Sequence, residues 1–195
     1  MAEQGQNVSQ INADQGAVEH EHFKAHFSKG KHVVLDNEKD ALLLESRGFG
    51  IREGELYYLK DYEVLYLVYT NKLEVKLNGK TCSFKEYLHV AETRDKESLA
   101  RFLIFRDLRT RGYVVREGFG FPIDFRVYER GDYGTKAAKY IVFGLSEGKT
   151  LGISELKKNI EEMSIMGKEA VVAVVERRGE VIYYKVGKWH PVKHL

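Results

Sequence analysis

Residues 118–131 read GFGFPIDFRVYERG, and this stretch decides how the rest of the chain is read. Gly118 and Gly120 stand on alternate positions and make a loop whose backbone can approach another surface closely. The loop runs into Phe125-Arg126-Val127-Tyr128, where apolar and polar residues alternate. That alternation predicts a strand with Phe125 and Val127 on one face and Arg126 and Tyr128 on the other. A tyrosine and an arginine on one face beside a turn can touch RNA phosphate and sugar. The plainer alternative is a surface tyrosine with a stacked arginine.

Working outward, Tyr113–Arg116 and Lys139–Phe143 read as further strands. Residues 93–112 read as one helix. Leu99, Phe102, Leu103 and Leu108 form its apolar side, Arg101, Arg106, Arg109 and Arg111 its polar side, and Gly112 its end. A helix is predicted from a cap at Ser154 to about Met166, with Gly167 after it. Ala170–Glu176 and Val181–Val186 then read as strands joined at Arg178-Gly179. Lys168 stands where the helix meets the first of them.

Upstream, Lys31–Asp36 reads as a strand, and Asn37 caps a helix to Ser46 with Gly48 just past it. Gly50–Leu59 reads as a hairpin around Glu53-Gly54. Asp61–Tyr69 is apolar at helical spacing, Leu73–Phe84 is a hairpin turning at Asn78-Gly79, and Phe84–Val90 is a short helix. Residues 1–28 read as a flexible or weakly ordered lead-in. His20, His22 and His26 within it are spaced loosely like metal ligands, but solvated residues are the better reading without a companion ligand pattern. The expected fold class is α/β (α+β). A small N-terminal mixed α/β domain (29–92) precedes a C-terminal domain (93–195) with a mixed sheet flanked by helices.

Composition narrows the function. Cys82 is the single cysteine of 195 residues, which excludes a disulfide scaffold and a thiolate zinc site. No apolar run approaches ~18 residues, and Met1–Gln10 is too polar for a secretory signal, so a cytoplasmic protein with no membrane partner is expected. The net charge of +2 hides an asymmetry. Residues 1–92 carry 11 basic and 15 acidic residues, and residues 93–195 carry 20 and 14. A basic back half points towards a polyanion. From Arg101 to Arg130, seven arginines face four carboxylates, and Tyr128 lies within that span.

With RDLRTRGYVVREG (Arg106–Gly118) before it and KYIVF (Lys139–Phe143) after it, the quoted stretch resembles the archaeal tRNA-splicing endonuclease family. The resemblance continues through LGISELKKNI (151–160) and GKEAVVAVVERRGEVIYYKV (Gly167–Val186), and more weakly through Gly48–Leu67. It implies a C-terminal nuclease domain and a precursor tRNA substrate recognised as a bulge-helix-bulge. It also implies cleavage without metal or cofactor, giving 2′,3′-cyclic phosphate and 5′-hydroxyl ends. The family uses a tyrosine, a histidine and a lysine. These map to Tyr128, to position 137 (three residues before Tyr140) and to Lys168.

Position 137 holds Ala137, and no histidine lies between His89 and His190. Attack by a ribose 2′-hydroxyl needs a base, a cation for the pentacovalent phosphorus, and an acid for the departing 5′-oxygen. Tyr128 fits the first role only where nearby cations favour its phenolate, Lys168 fits the second, and the acid is missing. The chain is therefore expected to bind substrate and cut it poorly. A deliberate histidine-to-alanine change accounts for Ala137, as does natural loss in a non-catalytic subunit; the intact Tyr128, Lys168 and glycine loop favour the former.

Other readings predict different behaviour. A metal-dependent nuclease is nearly matched by Pro122-Ile123-Asp124 and Ala137-Ala138-Lys139, but it lacks a carboxylate at 137 to hold a hard cation. A structural or RNA-binding subunit of the same heteromeric endonuclease would use the basic back half and make no cut. Arg126, Arg130 and Trp189 are the candidate RNA contacts, although a hydrophobic anchor is the better reading of Trp189. The resemblance also implies a tetramer. In the family an acidic loop docks into a partner, whereas Glu176-Arg177-Arg178-Gly179-Glu180 is not clearly acidic, so a heterotetramer stands beside a homotetramer. Val181–Val186 could supply a paired sheet edge, but an interior strand is the better reading.

Overall fold

The computed structural model describes residues 22–28, 32–118, 124–150 and 152–188. Two mixed α/β units follow one another. In the first, β1 (Phe23–Phe27), β2 (Val33–Leu35), β5 (Leu73–Leu77) and β6 (Lys80–Thr81) form a sheet in the order β2-β1-β5-β6. β1 and β5 run parallel and the other neighbours antiparallel. A separate hairpin pairs β3 (Ile51–Glu53) with β4 (Leu56–Tyr58). The β5–β6 turn is built by Asn78 (φ 51°) and Gly79 (φ 79°). Both are left-handed, as a two-residue hairpin loop requires.

Three helices complete this unit. α1 (Glu38–Ser46) is capped by Asn37, whose side chain accepts from the Lys39 N–H at 2.9 Å. α2 (Asp61–Tyr69) buries Tyr62, Val64, Leu65 and Leu67. α3 (Phe84–Arg94) opens on a reciprocal Ser83–Glu86 capping box and runs one turn further than Val90.

The second unit is a five-stranded sheet in the order β11-β10-β9-β8-β7. Its strands are β7 (Val114–Glu117), β8 (Asp124–Tyr128), β9 (Tyr140–Ser146), β10 (Glu169–Val175) and β11 (Val181–Val186). β9 and β10 are parallel, joined by the crossover helix α5 (Ile153–Ile165). α5 seats Met163 on Ile141, Phe143 and Ala170. The other face packs on α4 (Ser98–Thr110). Phe105 of α4 touches the rings of Phe49, Tyr62 and Tyr66 on one side and Phe125 of β8 on the other, so one core runs through both units.

Several expectations are corrected. The lead-in of residues 1–28 does not extend over 23–27: these residues are β1, an interior strand with Phe23 and Ala25 buried. The single helix over 93–112 divides at Asp95, whose backbone is extended (φ −141°, ψ 115°). Its carboxylate takes the Glu97 N–H at 2.9 Å, a local bond that competes with helix continuation. α5 starts from Gly152, with no side-chain cap, so Ser154 is not its cap. β11 is an edge strand rather than an interior one, with Tyr184 exposed.

The α4 arginines do not form a solvated face. Arg109 lies 4.0 Å over the Phe49 ring and donates to the Arg47 carbonyl at 3.1 Å. Burial lowers the pKa of its guanidinium. Arg101 pairs with Asp95, and Arg106 covers the Tyr69 and Phe102 rings. Leu99, placed on the apolar side, is exposed. No helix among the described residues is long and apolar enough to cross a membrane.

Candidate active site

The expected site residues come from three places far apart in sequence. β8 pairs antiparallel with β9, Val127 opposite Tyr140, and the Lys139 N–H continues the ladder to the Val127 carbonyl at 3.0 Å. β9 pairs parallel with β10, Tyr140 opposite Glu169, and the Glu169 N–H reaches the Lys139 carbonyl at 3.0 Å. The register therefore carries the end of β8, the approach to β9 and the approach to β10 to one end of the sheet. Tyr128, Ala137 and Lys168 belong to these three segments.

Their surroundings differ. Phe125 and Val127 are buried towards the shared core, while Arg126 and Tyr128 are half-buried on the opposite face, as the alternation predicts. Ala137 is exposed and Ala138 buried. The half-buried Lys168 donates its Nζ to the Ala138 carbonyl at 2.5 Å, one residue from position 137.

The segment between β8 and β9 is tied down by its own ion pairs. Lys136 Nζ meets Asp132 Oδ1 at 2.8 Å, and Lys139 Nζ meets Glu129 Oε1 at 2.6 Å. The hydrogen bond to Asp132 raises the Lys136 pKa, and the bond to Glu129 raises that of Lys139. Tyr140 also donates to Glu129, at 3.3 Å. Two of the three lysines around position 137 thus have carboxylate partners. Among the described residues Lys168 has none, only a carbonyl. Its ammonium has donors left over and a charge that no described neighbour cancels, which suits an anionic ligand.

Arg126 donates its Nε to the Glu117 carbonyl at 2.8 Å. Arg116, on β7, lies directly opposite it in register, and its Nη1 is 3.9 Å from the buried Glu63 carboxylate. Directly opposed like charges are unfavourable unless other groups draw them apart or an anion sits between them. Sequence reading missed Arg116, which becomes visible only once the β7–β8 register is known. Arg130 is exposed. Residues 119–123 of the glycine loop and Trp189 lie outside the described residues. His26 of β1 pairs with Asp36, just past the end of β2, at 2.6 Å. No group of three or more His, Cys, Asp or Glu suited to a metal ion occurs among the described residues.

Comparison with known sequences gives the lineage. The family model for the catalytic C-terminal domain of tRNA intron endonuclease matches residues 98–183, and the model for its N-terminal domain matches residues 23–88. A tRNA-splicing endonuclease of Methanococcus maripaludis is 34% identical over 164 residues, covering 84% of this chain and 92% of the relative. One from Thermococcus kodakarensis is 31% identical over 156 residues, 78% of this chain and 91% of the relative. A Methanosarcina mazei relative of the same name is 30% identical over 164 residues but is only 46% covered.

Proposed function

This chain belongs to the tRNA intron endonuclease family, and on that premise we propose that it is a tRNA-splicing endonuclease subunit whose active site lacks its general acid. The substrate is precursor tRNA folded as a bulge-helix-bulge. The observation that carries this reading is the convergence of Tyr128, position 137 and Lys168 at one end of the sheet, with Lys168 hydrogen-bonded one residue from Ala137.

In the proposed reaction Tyr128, acting as its phenolate, takes the proton of a ribose 2′-hydroxyl and becomes the neutral phenol. The O2′ attacks the adjacent phosphorus, and the Lys168 ammonium balances the negative charge of the pentacovalent state. The P–O5′ bond breaks, leaving a 2′,3′-cyclic phosphate and a 5′-oxygen that must take up a proton. An imidazole at position 137 would supply it, since histidine titrates nearest neutrality. Ala137 supplies none, and water must serve. Loss of a general acid typically costs ~10²–10⁴ in rate.

The test is Ala137→His on bulge-helix-bulge RNA, scored for a cyclic-phosphate end. A rate gain of about 10²–10⁴ is expected. Tight binding with no cut products would instead assign the chain to a structural, RNA-binding role in the same assembly. Because Ala137 is exposed, free imidazole has access to it and should restore part of the rate to the unaltered chain. The assembly we propose is a tetramer containing a second kind of subunit. The 176–180 turn sets two arginines against its two glutamates, and Arg177 is already engaged with Glu147, its N–H at 3.0 Å from Oε2. A stable four-chain species of this protein alone, seen by native mass measurement, would contradict that.

A further inference from the structure

The five residues after Tyr128 bring a second tyrosine back against it. The rings of Tyr128 and Tyr133 meet edge to face, with centroids 5.2 Å apart and planes at 85°. Tyr133 is half-buried, and what stands behind it is not its own sheet but the Arg47–Gly50 turn of the first unit. A β-carbon at Gly48 would lie 2.4 Å from Val114 Cγ1 and 3.3 Å from Tyr133 Cε1. Val114 in turn is the β7 residue directly opposite Tyr128. Gly48 therefore abuts both neighbours of the Tyr128 ring, and its φ of +76° is a second reason for glycine there.

That turn is held hard in place. The Gly48 and Phe49 N–H groups bond back to the Glu45 and Leu44 carbonyls of α1, each at 2.9 Å. Arg109 donates to the Arg47 carbonyl, and Tyr57 donates to the Phe49 carbonyl at 3.0 Å. The Gly50 N–H is shared by both oxygens of the buried Glu63 at 3.0 Å. The anchors come from α1, α2, α4 and β4, so the turn cannot shift without disturbing both units.

We infer that Tyr133, backed by the Arg47–Gly50 turn, is a positioning residue that sets the orientation of the Tyr128 ring. Its role in catalysis rests on Tyr128 being the base, while the packing itself does not. Tyr133 acts through its ring, since no hydrogen bond from its hydroxyl occurs among the described residues. Phenylalanine should therefore replace it and alanine should not.

The experiment follows Tyr128 directly by NMR of the unaltered chain with ring-labelled tyrosine, its resonance assigned by loss in Tyr128→Phe. Tyr133→Ala is expected to shift that resonance by removing an adjacent ring current, and to speed the ring's flipping. Tyr133→Phe should leave it close to its starting place. Gly48→Ala, which crowds both Val114 and Tyr133, should also move it. A Tyr128 resonance indifferent to Tyr133→Ala would overturn the inference, whatever the chain does to RNA.

In the Ala137→His background, Tyr133→Ala should slow single-turnover cleavage about 10- to 100-fold with RNA affinity unchanged, and Tyr133→Phe should cut like its parent. Parental cleavage by Tyr133→Ala would overturn the inference and leave Tyr128 as the base. Parental cleavage by Tyr128→Phe would instead overturn the catalytic reading, with the resonance still deciding the packing.

Discussion

Glu63 and Lys168 are the two charges that teach most by contrast. Glu63 is 1% exposed, and its carboxylate is saturated: it accepts the Gly50 N–H on both oxygens and the Lys60 N–H at 2.9 Å, with Arg116 nearby. It fastens the β3–β4 hairpin to α2 and has nothing left to offer a ligand. Lys168 spends one donor on a backbone carbonyl and meets no carboxylate among the described residues. A saturated buried charge maintains structure. An unsaturated one at the sheet end is available for chemistry.

The contrast breaks if the two substitutions behave alike. In the Ala137→His background, Lys168→Ala should lower single-turnover cleavage about 10²–10³-fold, the size of losing one donor to a developing anion. Its stability in denaturant should fall by only about 1 kcal/mol, the worth of one hydrogen bond. Glu63→Ala reverses the pattern. The buried Gly50 N–H and the half-buried Lys60 N–H lose their acceptor and Arg116 its counter-charge, so stability should fall by about 3 kcal/mol. Cleavage by the molecules still folded should change less than for Lys168→Ala.

The smallest effect is a pH dependence. Burial, the leading cause, raises the Glu63 pKa above its usual 4.5, partly opposed by its N–H donors and Arg116. The folded state therefore holds the proton more tightly than the unfolded state does. The resulting contribution favours folding below pH 4.5 and is lost as pH rises through the raised folded value. Glu63→Gln should remove that falling segment from a plot of stability against pH. An unchanged slope would mean that other groups produce it.

Much of this architecture could be read locally. The alternation of Phe125–Tyr128, the Asn78-Gly79 turn and the apolar spacing of Asp61–Tyr69 all act over a few residues, and the structure places a strand, a turn and a helix there. β1 was missed because its pattern lasts five residues and one of its inward positions is only Ala25. The break at Asp95 carries no glycine or proline. Arg109 reads as solvated in the sequence because its partner, Phe49, is 60 residues away in the other unit.

The candidate site divides in the same way. Tyr128 and Arg126 share a face through strand periodicity alone. The approach of Lys168 to the Ala138 carbonyl depends on parallel pairing of β9 and β10 across the α5 crossover, which no local pattern states. Tyr133 was invisible for a related reason, since what makes it more than a loop residue is Gly48.

The most direct test of the whole account is a side-by-side single-turnover assay of the unaltered chain and Ala137→His on one bulge-helix-bulge RNA, with the 5′ product analysed for a 2′,3′-cyclic phosphate. The account predicts equal RNA affinity, and cleavage faster by about 10²–10⁴ in the variant. Equal cleavage rates would contradict it, whether both proteins cut fast or neither cuts at all.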